Sequence, residues 1–359
     1  MATTARLLAA VLAAAACAWL PAAAAFDVPT VAFDEGFSPL FGDGNLVRAD
    51  DGRTARLLLD RRSGSGFISS DYYLHGFFSA SIKLPRDYTA GVVVAFYLSN
   101  GDVYEKTHDE LDFEFLGSRW GGQWRVQTNV YGNGSTSRGR EERYLLPFDP
   151  TLEAHRYSIL WAPTHIIFYV DDTPIREVVR HPAMGGDFPA KPMAVYATIW
   201  DGSAWATEGG KYKVNYKYAP FASDFSRLSL AGCPVADPSS SALLRLPRAG
   251  AGGGSGCDLL GLMTADYAVV TPQRRAAMRA FRARQMTYTV CYDAARYAAG
   301  PFPECDNSDE ERRAFWAWGE SRTVVMKTRG RGRRNRASRA AAAVAAGAAA
   351  RGRTGMASS

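Results

Sequence analysis

The segment His108-Asp109-Glu110-Leu111-Asp112-Phe113-Glu114-Phe115 puts an acid at every second position and a large apolar residue between them. On an extended chain, side chains alternate between faces. His108, Glu110, Asp112 and Glu114 therefore share one face, and Leu111, Phe113 and Phe115 share the other. Three stacked carboxylates raise one another's pKa, a cost that a strand carries only where something offsets it. A solvated strand face would favour Thr, Ser and Lys, and a calcium site would draw ligands from a Gly-containing turn. The ladder fits a retaining glycosidase better: one carboxylate attacks the anomeric carbon and the other protonates the departing oxygen. At about 3.3 Å per residue the Cα atoms of Glu110 and Glu114 lie roughly 13 Å apart, so their side chains must lean together on a concave strand to approach the roughly 5 to 5.5 Å that this mechanism needs. Asp112, between them, would hydrogen-bond the nucleophile and leave one carboxyl of the pair ionised and the other protonated.

The surrounding elements read as short strands. Phe77 to Leu84 alternates, and Gly91 to Ser99 is a continuous apolar run suited to burial on both faces. Glu110 to Phe115, Arg125 to Tyr131, His155 to Trp161, Ile166 to Val170, Ile175 to Val179 and Met193 to Trp200 follow, separated by turn residues such as Asp171-Asp172-Thr173-Pro174 and Gly185-Gly186. Many strands without intervening amphipathic helices imply an all-β fold, an antiparallel β-sandwich of the jelly-roll kind, with one sheet bent to supply the curvature. Tyr157, Trp161 and Phe168 are read as core. After Phe225 the texture changes. Thr271 as N-cap and Pro272 at the first helical position open a single helix to about Met286, with Met278 and Phe281 on one face and Arg274, Arg275, Arg279, Arg282 and Arg284 on a solvated one.

The 359 residues carry a net charge of +6, but the nine basic residues between Lys327 and Arg353, with no acid among them, leave the remainder at −3. The folded part is not basic, which argues against a nucleic-acid partner. Arg6, the apolar run Leu7 to Leu20, Pro21 and Ala22 to Ala25 read as a secretory signal cut near Ala25; the apolar core is too short for a membrane span. Secretion sets an oxidising context. Of five cysteines, Cys17 lies in the signal, and Cys233, Cys257, Cys291 and Cys305 remain for two disulfides. Three pairings are open; Cys233 with Cys257 and Cys291 with Cys305 are favoured because they close short loops, and the spacing does not suit a zinc site. The expected organisation is a signal (1–25), a catalytic jelly roll (26–225), a small disulfide-stapled extension with one helix (226–320) and a disordered basic, Ala-rich tail (321–359). Asn133-Gly134-Ser135 is an N-glycosylation acceptor.

The acidic segment resembles the HDE[IL]DFEFLG signature of plant xyloglucan endotransglucosylase/hydrolases, in the clan of concanavalin-like jelly-roll glycosidases. The likeness extends through Gln127-Thr128-Asn129-Val130-Tyr131, Gly139-Arg140-Glu141, Trp205-Ala206-Thr207 with Gly209-Gly210, Tyr212-Lys213-Val214-Asn215-Tyr216, Ala219-Pro220-Phe221, and Cys291-Tyr292-Asp293 through Arg296-Tyr297. It covers roughly Phe26 to Cys305. The resemblance implies that Glu110 is the nucleophile, Glu114 the general acid/base and Asp112 the auxiliary carboxylate, with His108 supporting them. It implies that Gln127, Thr128, Asn129, Arg140, Glu141, Trp205, Gly209 and Arg296 lie near the glucan chain. Trp200 and Trp205 are the best aromatic platforms for sugar C–H faces. After the acidic strand the family often has a glycosylation acceptor where this chain reads Gly117-Ser118-Arg119; that departure, with Asn133, resembles a subgroup with long C termini.

The resemblance implies a retaining enzyme that cuts the β-1,4-glucan backbone of cell-wall xyloglucan and rejoins it to another xyloglucan chain or an oligosaccharide. Its expected setting is the extracellular cell wall or apoplast, acting as a monomer with no metal or cofactor. Transfer and hydrolysis share a glycosyl-enzyme and differ in what intercepts it, so transfer needs acceptor-binding energy beside the pair; Tyr212 to Phe221 and the C-terminal extension are expected to supply it. The alternatives are a xyloglucan hydrolase and a non-catalytic carbohydrate-binding jelly roll, which would explain cleft aromatics but not paired carboxylates. The basic tail has a separate reading, salt-sensitive attraction to acidic pectin, against a tail with no function of its own.

Overall fold

The computed structural model describes residues 25–239 and 258–293 and the short pieces 296–297, 302–305, 308–309 and 313. The expected signal core, Cys257, the whole basic tail (321–359) and residues 240–257 lie outside the described residues. In chain order the strands are β1 (Phe37–Phe41), β2 (Leu46–Arg48), β3 (Ala55–Leu59), β4 (Ser65–Ser69), β5 (Tyr72–Lys83), β6 (Val92–Ser99), β7 (Glu110–Leu116) and β8 (Arg125–Tyr131), then β9 (Glu142–Leu145), β10 (His155–Trp161), β11 (His165–Val170), β12 (Thr173–Val179), β13 (Ala194–Asp201), β14 (Phe221–Val235) and β15 (Met286–Thr289). The α-helices are α1 (Phe33–Gly36), α2 (Leu259–Thr264) and α3 (Pro272–Gln285).

Two antiparallel sheets stack into a β-sandwich. The first has the order β1-β4-β13-β6-β7-β8-β9-β15 and the second β12-β11-β10-β5-β14-β3-β2. Their facing residues form one core, in which Leu111, Phe113 and Phe115 of β7 are fully buried. Phe113 meets Tyr157 and Phe168 edge-on, and Phe115 meets Tyr157 at 4.6 Å between centroids, so the apolar half of the acidic segment anchors β7 to the opposite sheet. Tyr157, Trp161 and Phe168 are core residues, as read.

Three expectations need correction or extension. The jelly roll does not end at Phe225: β14 runs on to Val235, paired with β5 from Asp224 onward, while its pairing with β3 stops at Phe225. Beyond that point no second strand among the described residues flanks β14; the Val31 amide donates to the Leu228 carbonyl there, and the pairing with β5 shifts register at Ser226/Ser229 and Gly232/Pro234. The extension, expected with one helix at Thr271 to Met286, has that helix and also a second short one and a strand. Its β15 adds to the edge of the first sheet beside β9, α3 packs against β12, and α2 joins a second apolar cluster with Phe26, Phe77, Leu160, Ile167 and Tyr169 on the outer face of the second sheet. Finally, α3 begins at the expected cap, with Thr271 Oγ1 accepting from the Arg274 amide, but its arginines are not all solvated. Arg274 pairs with Asp266, Arg275 with Glu177 and Arg282 with the buried Glu142, leaving Arg279 and Arg284 exposed.

A Cys291–Cys305 disulfide closes a 14-residue separation. Cys233 is also disulfide-bonded.

Candidate active site

The face of β7 turned away from the core carries Glu110, Asp112 and Glu114, and sheet order gives each carboxylate different neighbours. Glu110 is opposite Ser99 on β6 and Tyr131 on β8, Asp112 opposite Tyr97 and Asn129, and Glu114 opposite Ala95 and Gln127. Ser99 Oγ donates to Glu110 at 3.0 Å, Asn129 Nδ2 to Asp112 at 3.0 Å and Gln127 Nε2 to Glu114 at 2.5 Å.

These surroundings separate the three acids electrostatically. Burial raises the Glu110 pKa, while His108 and hydrogen bonds from Ser99 and Asp112 pull it back toward the ionised form. Asp112 is pushed well above the ordinary carboxylate range by burial and by the charges of Glu110 and Glu114 on either side. The shift favours its protonated form, and the hydrogen bond between Asp112 and Glu110 favours the ionised form of Glu110. Glu114 is pushed up to about 7, chiefly by burial, with the Gln127 hydrogen bond and Arg143 opposing the rise and the Glu141 and Glu110 charges adding to it. One acid hydrogen-bonded by a neighbouring carboxyl, and another that gains and loses a proton near neutrality, are what a two-step displacement at a glycosidic carbon requires.

Other expected site residues divide into two groups. His108 lies beside Tyr131, with ring centroids 6.3 Å apart, and its Nδ1 is buried without a hydrogen-bond partner among the described residues. Trp200 and Trp205 form a tilted pair 6.1 Å apart, half-buried over Val93, Leu116 and Ala206 next to the Glu114 end of the strand, and the indole Nε1 of Trp205 likewise lacks a partner there. Gly209 follows in the same loop with φ +68, a left-handed turn that favours glycine. Glu141 and Arg296 meet as a bidentate pair at 2.7 and 2.8 Å, and Glu141 also accepts from Arg143 at 3.2 Å. Gln127, Asn129, Glu141 and Arg296 thus stand with the acids.

Thr128 and Arg140 do not. Thr128 points into the sandwich because it is one step out of phase with Gln127 and Asn129 on β8; its hydroxyl and carbonyl both accept from buried Arg176. Arg140 is almost wholly buried and is held by Asp187 and Glu304 with its guanidinium over Phe302, so it anchors the extension instead of facing the cleft. Asn133 sits exposed at a left-handed turn, open to modification.

Several lining residues escaped sequence reasoning. Tyr97 and Tyr196 stack at 5.0 Å on the same face, and Arg143 and Tyr288 extend it across β9 and β15. Continuing the two-residue alternation from Gln127 through an adjacent strand would have found Arg143; Tyr288, 161 positions after Gln127 along the chain, carries no local signal.

Comparison with known proteins shows the family. Residues 33–218 match the model of glycosyl hydrolases family 16, the class to which the sandwich and its acidic strand belong, and residues 261–305 match that of the xyloglucan endo-transglycosylase C-terminus. The chain is 57% identical over 318 residues to the probable xyloglucan endotransglucosylase/hydrolase protein 30 of Arabidopsis thaliana, covering 88% of this chain and 90% of that one. It is 60% identical over 271 residues to protein 27 of the same series from that plant, covering 76% and 78%. Among solved structures, a Bacillus licheniformis beta-glucanase aligns with a TM-score of 0.46 at 22% identity, over 58% of this chain and 99% of that one. The chain belongs to the xyloglucan endotransglucosylase/hydrolase family.

Proposed function

We propose that the protein is a retaining xyloglucan endotransglucosylase. Glu110 attacks the anomeric carbon of a backbone glucosyl unit while Glu114 gives its proton to the departing oxygen, leaving a glycosyl-enzyme on Glu110. Glu114, now ionised, takes the proton from the acceptor's sugar hydroxyl as that oxygen displaces Glu110, which restores the starting state of both acids. Asp112, between them, hydrogen-bonds Glu110 as its charge changes. The observation that carries this reading is the division of one acidic ladder into differently supported carboxylates by donors from β6 and β8.

Transfer is preferred over hydrolysis because an acceptor must outcompete water for the intermediate, which takes binding surface beside the acid/base. The extension contributes β15 to that same sheet, and its Tyr288 is paired with Arg143 of β9. Xyloglucan is the substrate in the names of the Arabidopsis relatives, and it supplies both donor and acceptor here. A cell-wall location follows from that substrate, and among the described residues no helix is long and apolar enough to cross a membrane.

The test is size analysis of xyloglucan incubated with the full chain, with and without a labelled xyloglucan oligosaccharide. Label entering polymer-length product, abolished in Glu110→Ala, is the expected result. Net shortening without label incorporation would replace transferase by hydrolase. Binding without either would leave a carbohydrate-binding protein.

A further inference from the structure

A single cross-strand row runs from Glu114 into the C-terminal extension. Glu114 pairs with Gln127, Gln127 with Arg143 and Arg143 with Tyr288, so four strands place these side chains next to one another on the cleft face. The row is joined by directed contacts. Arg143 Nε donates to Gln127 Oε1 at 2.7 Å, and with its oxygen so engaged the Gln127 amide can present only its nitrogen to Glu114, at 2.5 Å. The far side of the Arg143 guanidinium is held over the Tyr288 ring at 5.0 Å and donates to Glu141, which is clamped by Arg296.

Resting on the catalytic reading above, we propose that Arg143 is a positioning residue through which the C-terminal extension fixes the orientation and charge environment of the acid/base Glu114. Without the guanidinium, the Gln127 amide is free to turn its oxygen toward Glu114, replacing a donor with an acceptor that favours the protonated acid. The same change removes a nearby cation and leaves Glu141 opposed by Arg296 alone. The charged and titratable groups around Glu114 are Glu110 and Asp112 on β7, Tyr97 on β6, Arg125 and Tyr131 on β8, Arg143 on β9, Glu141 just before it, and Tyr288 and Arg296 from the extension. Of these, Arg143 and Arg296 are the cations whose contacts lead to Glu114 through named hydrogen bonds. Arg143 lowers the Glu114 pKa and Glu141 raises it, the direction that this geometry requires.

The experiment compares pH profiles of label transfer for the full-length wild type, Arg143→Met, Arg143→Lys and Arg296→Met. The acid must be protonated for the first step, so activity falls as pH rises through its pKa. Losing Arg143 is expected to move this alkaline limb upward by about 0.5 pH unit or more. Arg143→Lys keeps a cation but loses the Nε contact; its limb should stay nearer the wild-type position while kcat falls. Arg296→Met, which leaves Glu141 less neutralised, should move the limb in the same upward direction. A purely structural role predicts lower kcat or stability with the limb unmoved, and that result in a folded Arg143→Met overturns the proposal. Should Arg143→Met not fold, the limb of Arg296→Met decides the matter by the same criterion. A wild type that transfers no label at any pH would instead refute the catalytic reading itself.

Discussion

Replacing Glu142 by Gln should detach the extension from the catalytic sheet at a cost that can be worked from its contacts. Glu142 points from β9 into the protein and is almost fully buried. It accepts from Arg282 on α3 through two bonds of 2.6 and 2.9 Å, from Thr289 on β15 at 2.9 Å and from the Tyr144 hydroxyl, and Arg176 of β12 lies 3.4 Å away. Burial alone would raise its pKa, but the two arginines and these hydrogen bonds overcome that and bring it to about 2 from 4.5. At about 1.4 kcal/mol per pKa unit, the fall corresponds to roughly 3 kcal/mol favouring the ionised folded state. Breaking a buried ion pair by removing one partner costs about 3 to 5 kcal/mol, which agrees. Because the folded pKa is depressed, this stabilisation is fully present above pH 4.5 and fades as pH falls toward 2. Glu142→Gln should therefore lose about 3 kcal/mol at pH 7 by urea unfolding, or roughly 6 to 12 °C in Tm at about 2 to 4 °C per kcal/mol for a chain of this size. The gap from wild type should shrink below pH 4.5. Adding Arg282→Met should recover part of the loss, since it removes the stranded cation. A deficit below about 1 kcal/mol at pH 7, or one that stays constant down to pH 3, would refute this reasoning.

Three further outcomes are expected. In the wild type, transfer activity should fall as pH rises past about 7, where Glu114 loses its proton, and Glu114→Gln should abolish the dependence together with most of kcat, as read from initial-rate pH profiles. Asp112→Ala should move the acid limb upward, because Glu110 loses a donor that lowers its pKa and must still be ionised to attack; Asp112→Asn keeps a donor and should hold the limb in place. Asp109→Ala should destabilise the fold by about 3 kcal/mol or more in denaturant titration. Its carboxylate accepts from the amides of Asn133, Ala190 and Lys191 and from Lys191 Nζ at 2.7 to 2.8 Å, and the deletion strands all four donors around the start of β7.

What could be read from sequence was local. The ends of β8 and β10 fell where alternation and turn residues put them, and β7 displays the alternation of acids and aromatics that its sequence states outright. Where the reading failed, the deciding partner was remote. Arg282 looks like one more solvated arginine until β9 brings Glu142, 140 positions earlier, against it. Arg140 looks like a cleft residue until Glu304 closes over it from 164 positions away. Thr128 is a different kind of failure: the strand's own two-residue period already assigned it to the face opposite Gln127 and Asn129, and motif likeness overrode that physics. In β14, Gly232 and Pro234 obscure a strand that persists through its pairing with β5 at Gly76 and Tyr73.

The catalytic division of labour lies in this second, remote category, although the acids themselves are contiguous. By sequence alone Glu110, Asp112 and Glu114 are three equivalent positions on one face, and nothing local says which should be ionised. Their difference arises because antiparallel register sets Ser99 beside the first, Asn129 beside the second and Gln127 beside the third. A slip of β8 by a single residue would turn Gln127 and Asn129 into the core and replace them with Val126, Thr128 and Val130, none of which can donate an amide hydrogen from its side chain. The aromatics behind the acids oppose such slips: Phe113 and Phe115 lock β7 against Tyr157 and Phe168, and Val126 and Val130 hold β8 in the same core. Apolar packing on one face thus fixes the register that distinguishes otherwise identical carboxylates on the other.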